Sequence, residues 1–415
     1  MKILWFSNCS LSGSTSSGSG SWLFAMRDLI ADDVEMVNIT EGKVEKIEFR
    51  EGNGIQEYIL PAWKLKEGVP STDNIRKIIE IINKISPDLI HIWGVEKYWA
   101  LLFSRGHILF DKVLLEMQGV MSACVDVYYG GLTPKEICKQ VSLKSTLFSK
   151  FRLNTIYQSM QKRAVYEEEL IKSFKNIAVQ SKWTKEQLYT ICNERTKFYN
   201  SLRPIRQEFY HADKWSKKVS SNPVVFCSIS YYRPFKGLHL LLRAMSIICN
   251  RYPSITLRIA GPNLAGRPFY YNSDYERFIL QEIKRLKLVD KVHFCGSLDA
   301  AQMVEEIQNA DVVVNPSLVE SYSAAAAEAL YIGAPTVLAY AGAMVNFSDV
   351  EPIALYYSPM DYRSLAARII TMIEDSVIRE TLLANAIIVM HKICSADNVK
   401  KRQLENYKLV LSDSL

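Results

Sequence analysis

The chain has 415 residues, 48% hydrophobic and 23% charged, with a formal net charge of +6. This composition fits a folded globular chain of roughly two to three domains and excludes wholesale disorder. The basic surplus is far below that of a polycation, and no run of about 18 apolar residues marks a membrane span. The apolar run at 3–6 is too short for a secretory signal, so none is expected.

In chain order, apolar runs at 2–6, 88–93, 112–117 and 175–179 predict buried strands. Amphipathic stretches at 21–31, 72–85 and 182–191 predict helices between them. In 72–85, Ile75, Ile78, Ile79, Ile82 and Ile85 recur at helical spacing, and Ser86-Pro87 ends the run. A polar, irregular segment at 201–222 interrupts the pattern. It then restarts with strands expected at 223–229, 254–260, 291–294, 311–315 and 335–338. Helices are expected near 237–250, 274–288, 299–309, 323–332 and 361–374, and a last amphipathic one over 398–415. Two similar α/β units predict two Rossmann-like domains, over 1–205 and 206–394, with the site in the cleft between them.

The strongest motif runs from Glu320 to Glu328 and encloses four alanines. The alanines strip bulk from a helix, so a ligand can lie against it. The helix start offers free amides and partial positive charge, which suit a diphosphate. Glu320 precedes that start and Glu328 lies about 12 Å along, at about 1.5 Å per residue. Both carboxylates are placed to accept from sugar or ribose hydroxyls. Ser321 or Ser323 is the expected cap. Upstream, Ser230-Tyr-Tyr-Arg233-Pro-Phe-Lys236-Gly237 joins a strand to a helix. Lys236 there meets a phosphate as a point charge, Arg233 adds a fork of donors, and Gly237 permits close approach.

These segments, with Leu257-Arg-Ile-Ala-Gly261, Val292-His-Phe-Cys-Gly296 and Glu328-Ala-Leu-Tyr-Ile-Gly333-Ala-Pro335, come in one order. The series resembles the C-terminal half of retaining glycosyltransferases of family 4, over about residues 223–375. The resemblance implies a GT-B fold and a final helix, about 395–415, that crosses back to the N-terminal domain. It implies an N-terminal acceptor domain and a C-terminal domain for the nucleotide-sugar donor, UDP-sugar foremost. Lys236 is then the diphosphate residue, Glu320 sits at the transferred sugar, and Glu328 binds the ribose. The amides of Ser321, Tyr322 and Ser323 touch sugar or phosphate. Loops at Gly261-Pro262-Asn263 and Gly296-Ser297-Leu298 line the donor. The implied reaction moves a hexose-type sugar to a glycan or lipid-linked oligosaccharide, as in bacterial surface-polysaccharide assembly in the cytoplasm. A nucleotide-sugar epimerase and a silent glycan-binding subunit on the same fold are the alternatives. The pattern departs at two places: Tyr231 stands where many members have an arginine, and Gln118-Gly119 where many have His-Gly.

The Ser/Gly loop after the first strand holds Gly18 and Gly20 but lacks a dinucleotide fingerprint, so it is expected at the cleft rather than on NAD. His91 and Glu96 end a strand on the expected acceptor side. The eight cysteines form no C-x-x-C pair, the histidines stand singly, and no Asp-x-Asp occurs. No metal site is expected. Segment 135–163 carries seven basic residues against Glu136 alone, a surplus equal to that of the whole chain. Its interleaved apolar residues fit peripheral contact with an anionic leaflet, and fit equally a helix with a core face and solvated charges. No nucleic-acid motif accompanies the charge.

Overall fold

A computed structural model describes residues 1–13, 20–133, 135–136, 146–147, 152–268 and 271–412. The first sheet has eight strands in the order β3 (Glu48–Gly52), β4 (Ile55–Pro61), β2 (Glu35–Gly42), β1 (Lys2–Phe6), β5 (Leu89–Trp93), β6 (Val113–Glu116), β7 (Asn176–Val179), β8 (Lys197–Asn200). All pairings are parallel except that of β3 with β4. The second sheet is wholly parallel, in the order β11 (Val292–Gly296), β10 (Thr256–Ala260), β9 (Val224–Ser228), β12 (Val312–Asn315), β13 (Thr336–Ala339), β14 (Leu355–Tyr357). Strand order reverses beside β1 and beside β9, so a crevice opens at the carboxyl end of each.

The first domain carries helices α1 (Ser21–Ile30), α2 (Thr72–Ile85), α3 (Trp99–Ser104), α4 (Met121–Asp126), α5 (Leu153–Ser173) and α6 (Lys182–Tyr189). The segment after it holds α7 (Gln207–His211). The second domain adds α8 (Leu238–Ile248), α9 (Asp274–Arg285), α10 (Ala300–Asn309), α11 (Ala324–Tyr331), α12 (Tyr362–Glu374) and α13 (Ser376–Cys394). The two Rossmann-like domains are those the alternation predicts. In α2, Ile75, Ile78, Ile81, Ile82 and Ile85 are buried, each worth about 1.5–3 kcal/mol of transfer free energy.

The last helix, α14 (Ala396–Ser412), returns to the first domain, as expected. Its Val399, Tyr407 and Val410 join Ile3, Trp5 and Trp93 in one core. Tyr407 Oη accepts from Trp5 Nε1 at 2.9 Å and lies 3.0 Å from His91 Nδ1.

Strands β2, β3, β4, β8 and β14 have no counterpart in the sequence reading, for a physical reason that β2 and β4 show. Both are buried, but they carry Asn38, Thr40 and Glu57, which break the apolar run. Those groups serve the loop after β1. Glu57 accepts from Leu11 N at 2.7 Å, from the hydroxyls of Ser10 and Ser12, and from Asn38 Nδ2. A second excursion crosses between domains. Residues after α4 leave the first domain, and Tyr128 and Leu132 bury themselves in the core of the second. His239 on α8 holds this excursion through Gly130 O at 3.0 Å.

Candidate active site

The loops after β9 and β12 cross beneath an interdomain cavity. At the crossing Gly237 has φ +72°, and a Cβ there would lie 2.0 Å from Pro316 O. Only glycine fits. Leu318 N donates to Phe235 O at 2.8 Å, which locks the two loops. This crossing brings Lys236 Nζ to 2.6 Å from Glu320 Oε1. The Tyr231 ring lies 5.2 Å from the same ammonium. Burial pulls the Lys236 pKa down, but Glu320 and Tyr231 outweigh it and hold it above the ordinary lysine value. Lys236 is therefore charged at neutral pH.

Glu320 is fixed through its backbone, whose carbonyl accepts from Ala343 N at 2.6 Å. Ser323 caps α11: its Oγ accepts from Ala326 N at 3.2 Å and from Asn315 Nδ2 at 2.6 Å. The first alanines of α11, Ala324 and Ala325, face the cavity. One turn further on, Glu328 is buried and gripped by Arg206, whose Nε and Nη2 each lie 2.7 Å from a carboxylate oxygen. Burial lowers the Arg206 pKa, and Glu328 more than restores it.

The cavity measures about 590 Å³. Gly20 and Trp22 of the first domain face Lys236, Glu320, Tyr322 and Glu328 across it. Gly261, Pro262, Ser297 and Leu298 also line it, as does Ser323. Asn263 turns away, its Oδ1 accepting from Ala265 N and Gly266 N. Gly296 only supports the wall, accepting from Gly261 N at 2.8 Å. Ser321 is buried, and its carbonyl faces the Thr184 hydroxyl of the first domain at 3.5 Å. Arg233 does not reach the cavity. Its Nη1 donates to Tyr232 O at 2.9 Å, so it leaves the charge at this turn to Lys236.

On the opposite side, Glu96 and Gln118 close over Gly94, where a Cβ would lie 2.1 Å from Glu96 Oε2 and 3.1 Å from Gln118 Cδ. Glu96 accepts from Asn8 Nδ2 at 3.2 Å. Burial raises its pKa, against that bond and the charges of Arg203 and Arg163. Glu96, Gln118 and Gly119 do not line the cavity. His91 corrects the expectation of a cleft residue. It is fully buried, with its ring 3.8 Å from that of Trp93 and its Nδ1 at Tyr407, so it packs the core. Gly18 lies outside the described residues. So does much of the basic segment, including Lys139, Lys144 and Lys150. In its described part, Ile156, Tyr157 and Met160 pack on the second domain's core while Lys162 and Arg163 are exposed.

Sequence reasoning missed Trp22 and Arg206. The sequence offered only two arginines three apart, Arg203 and Arg206, in the segment between the two units. Among the described residues no cluster of His, Cys, Asp or Glu is arranged to hold a metal, and no helix is long and apolar enough to cross a membrane.

Residues 210–388 match the family model for glycosyl transferases group 1. The chain carries a glycosyltransferase domain. It is similar to an uncharacterized glycosyltransferase of Methanocaldococcus jannaschii, 25% identical over 78% of this chain and 87% of that one. Among solved structures it resembles sucrose-phosphate synthase from Thermosynechococcus elongatus, with a TM-score of 0.74, 17% identity and full coverage of both chains. It also resembles Anabaena Alr3699/HepE in complex with UDP-glucose, with a TM-score of 0.66, 18% identity and coverage of 99% and 100%. These likenesses establish the GT-B fold.

Proposed function

We propose that this chain is a retaining, family 4-type glycosyltransferase. It moves a hexose-type sugar from a nucleoside diphosphate, UDP-sugar foremost, to a glycan or lipid-linked glycan. The observation that carries the reading is the convergence of Lys236, Glu320, the start of α11 and Glu328 on one cavity inside a glycosyltransferase domain. The UDP-glucose complex of the Anabaena relative supports the choice of donor.

In this reading residues 206–394 hold the donor, and 1–205 with the returning helix hold the acceptor. Lys236 and the amides of Ala324 and Ala325 face the diphosphate and stabilise the charge that develops as it leaves. Glu320 sits at the transferred sugar, and Glu328, held open by Arg206, takes the ribose hydroxyls. The acceptor hydroxyl attacks from the face the diphosphate leaves, and the departing phosphate takes its proton, which retains the anomeric configuration. The chain acts without metal in the cytoplasm, in surface-polysaccharide assembly.

A panel of nucleotide sugars, followed for donor consumption in the presence of EDTA, tests the reading. Consumption of one donor, with UDP binding seen by calorimetry, is expected. Absence of both would overturn it, and a new epimer formed without acceptor would show an isomerase instead.

A further inference from the structure

Arg203 follows β8 on the segment that links the domains, and it is only 7% exposed. A guanidinium at that depth ordinarily faces a carboxylate, because an unpaired buried charge is costly. Among the described residues Arg203 has no such partner, and its Nε and Nη2 have no hydrogen bond. Glu116 and Glu96 act on it electrostatically but bond elsewhere: Glu116 accepts from Gln180 Nε2 at 2.6 Å, and Glu96 from Asn8. The guanidinium instead stacks on Trp22, 4.1 Å from the ring centroid, with the Tyr322 ring at 5.7 Å. Both rings line the cavity, so the charge stands one aromatic layer from it. A cation on the face of an indole draws on its negative face and leaves the positive ring edge pointing outward. Little water reaches the guanidinium to screen it.

We infer that Arg203, acting with Trp22, forms an anion subsite on the first domain's side of the cavity, and that the acceptor carries a phosphoryl or carboxylate group there. This rests on the proposed transfer reaction. Lys236 and Glu320 lie on the other domain, so the subsite is separate from the place of the leaving diphosphate. In the free chain the charge is offset only at a distance, by Glu116 and Glu96, and no group bonds its Nε or Nη2.

Calorimetric titration of the full chain with glucose, glucose 6-phosphate and glucuronate, with and without UDP, tests this. At least one charged probe should bind about tenfold tighter than glucose, or more, through electrostatic attraction across the Trp22 ring in a site that little water screens. Whichever probe wins separates phosphoryl from carboxylate. Arg203→Met should bring the three probes within about twofold of one another, leave UDP affinity unchanged, and leave Tm equal or higher, since it removes an unpaired buried charge. Arg203→Lys should keep part of the preference. Charged probes that bind no better than glucose to the unaltered chain would overturn the inference. So would a preference that survives Arg203→Met, or a fall in Tm with that change. Failure of UDP itself to bind would count against the donor reading, while the preference measured without UDP still reports on Arg203.

Discussion

The two faces of the cavity handle charge in opposite ways. On the second domain's face each charge is matched: Lys236 with Glu320 at 2.6 Å, Arg206 with Glu328 at 2.7 Å. On the first domain's face Arg203 is buried and Glu96 half-buried, and neither meets an opposite charge at ion-pair distance among the described residues. Arg203 and Arg206 stand three residues apart on one linker, so the difference is not one of composition. A matched face is preformed and can bind without rearranging. An unmatched face is costly until a ligand arrives. In the proposed reaction the constant part, a nucleotide, suits the first kind of face, and the variable part, an acceptor, suits the second.

The largest effect should come from breaking the matched face where charge develops. Lys236→Ala is expected to reduce transfer by roughly 10²–10³-fold, the usual consequence of removing one preorganised stabiliser. Glu320→Gln should fall in the same range. Single-turnover donor consumption measures both, and activity within threefold of the parent would break the assignment of this face.

The second test sets the two arginines against each other. Arg206→Met leaves Glu328 buried, its side chain 4% exposed, with no partner. That should destabilise the fold by about 3–5 kcal/mol, read as a lower urea midpoint. Glu328→Met added to Arg206→Met should recover most of the loss. Arg203→Met, by contrast, should not destabilise. Equal losses at the two arginines would erase the difference between the faces.

How much of this could be read from sequence follows the same division. The second domain was legible because its chemistry is local. Lys236-Gly237 and the Glu320 to Glu328 run each sit at one strand-to-helix turn, so spacing along the chain is spacing in the site. The alternation of strands and helices there was equally plain. The first domain was harder. Its β2 and β4 hide Asn38, Thr40 and Glu57 in the sheet to hold the loop after β1, and buried polar residues defeat an apolar-run criterion. Arg206 meets a carboxylate 122 residues away, and Trp22 meets Arg203 across most of the domain. No local spacing encodes such a meeting. His91 was misplaced for a related reason: a strand end faces the cleft, but His91, in the middle of β5, turns to the helix that returns from the far end of the chain.

A smaller effect concerns the seam between the faces. His239 bridges them, with Nε2 at Gly130 O and Nδ1 2.9 Å from Tyr275 Oη. The Tyr275 hydroxyl donates to Nδ1 and Nε2–H donates to the carbonyl, so the ring is neutral and satisfied. Burial, then the Arg243 charge, depress its pKa from 6.5 to about 4, against Glu282 and Glu136. The unfolded chain therefore binds the proton more readily. Its contribution is complete above about pH 6.5 and is lost as pH falls toward 4, by about 3 kcal/mol in total. Urea unfolding at pH 7 and pH 5 should show the drop, and His239→Gln should flatten it. An unchanged slope would mean that the seam is held elsewhere.

The smallest expected effect lies behind the unmatched face. Glu116 Oε2 lies 3.6 Å from His91 Nε2 and favours the ring proton there, so Tyr407 Oη, which accepts from Trp5, donates to His91 Nδ1. Tyr407→Phe leaves Trp5 Nε1 and His91 Nδ1 without partners in a closed core, at a cost of about 1–3 kcal/mol. Neither atom borders the cavity, so UDP affinity and the preference for charged probes should both be unchanged. A shift in that preference would show that the buried polar groups behind β5 and β6 act on Arg203. The unmatched face would then include Glu116 and His91, and its boundary would lie one layer deeper than the two aromatic rings.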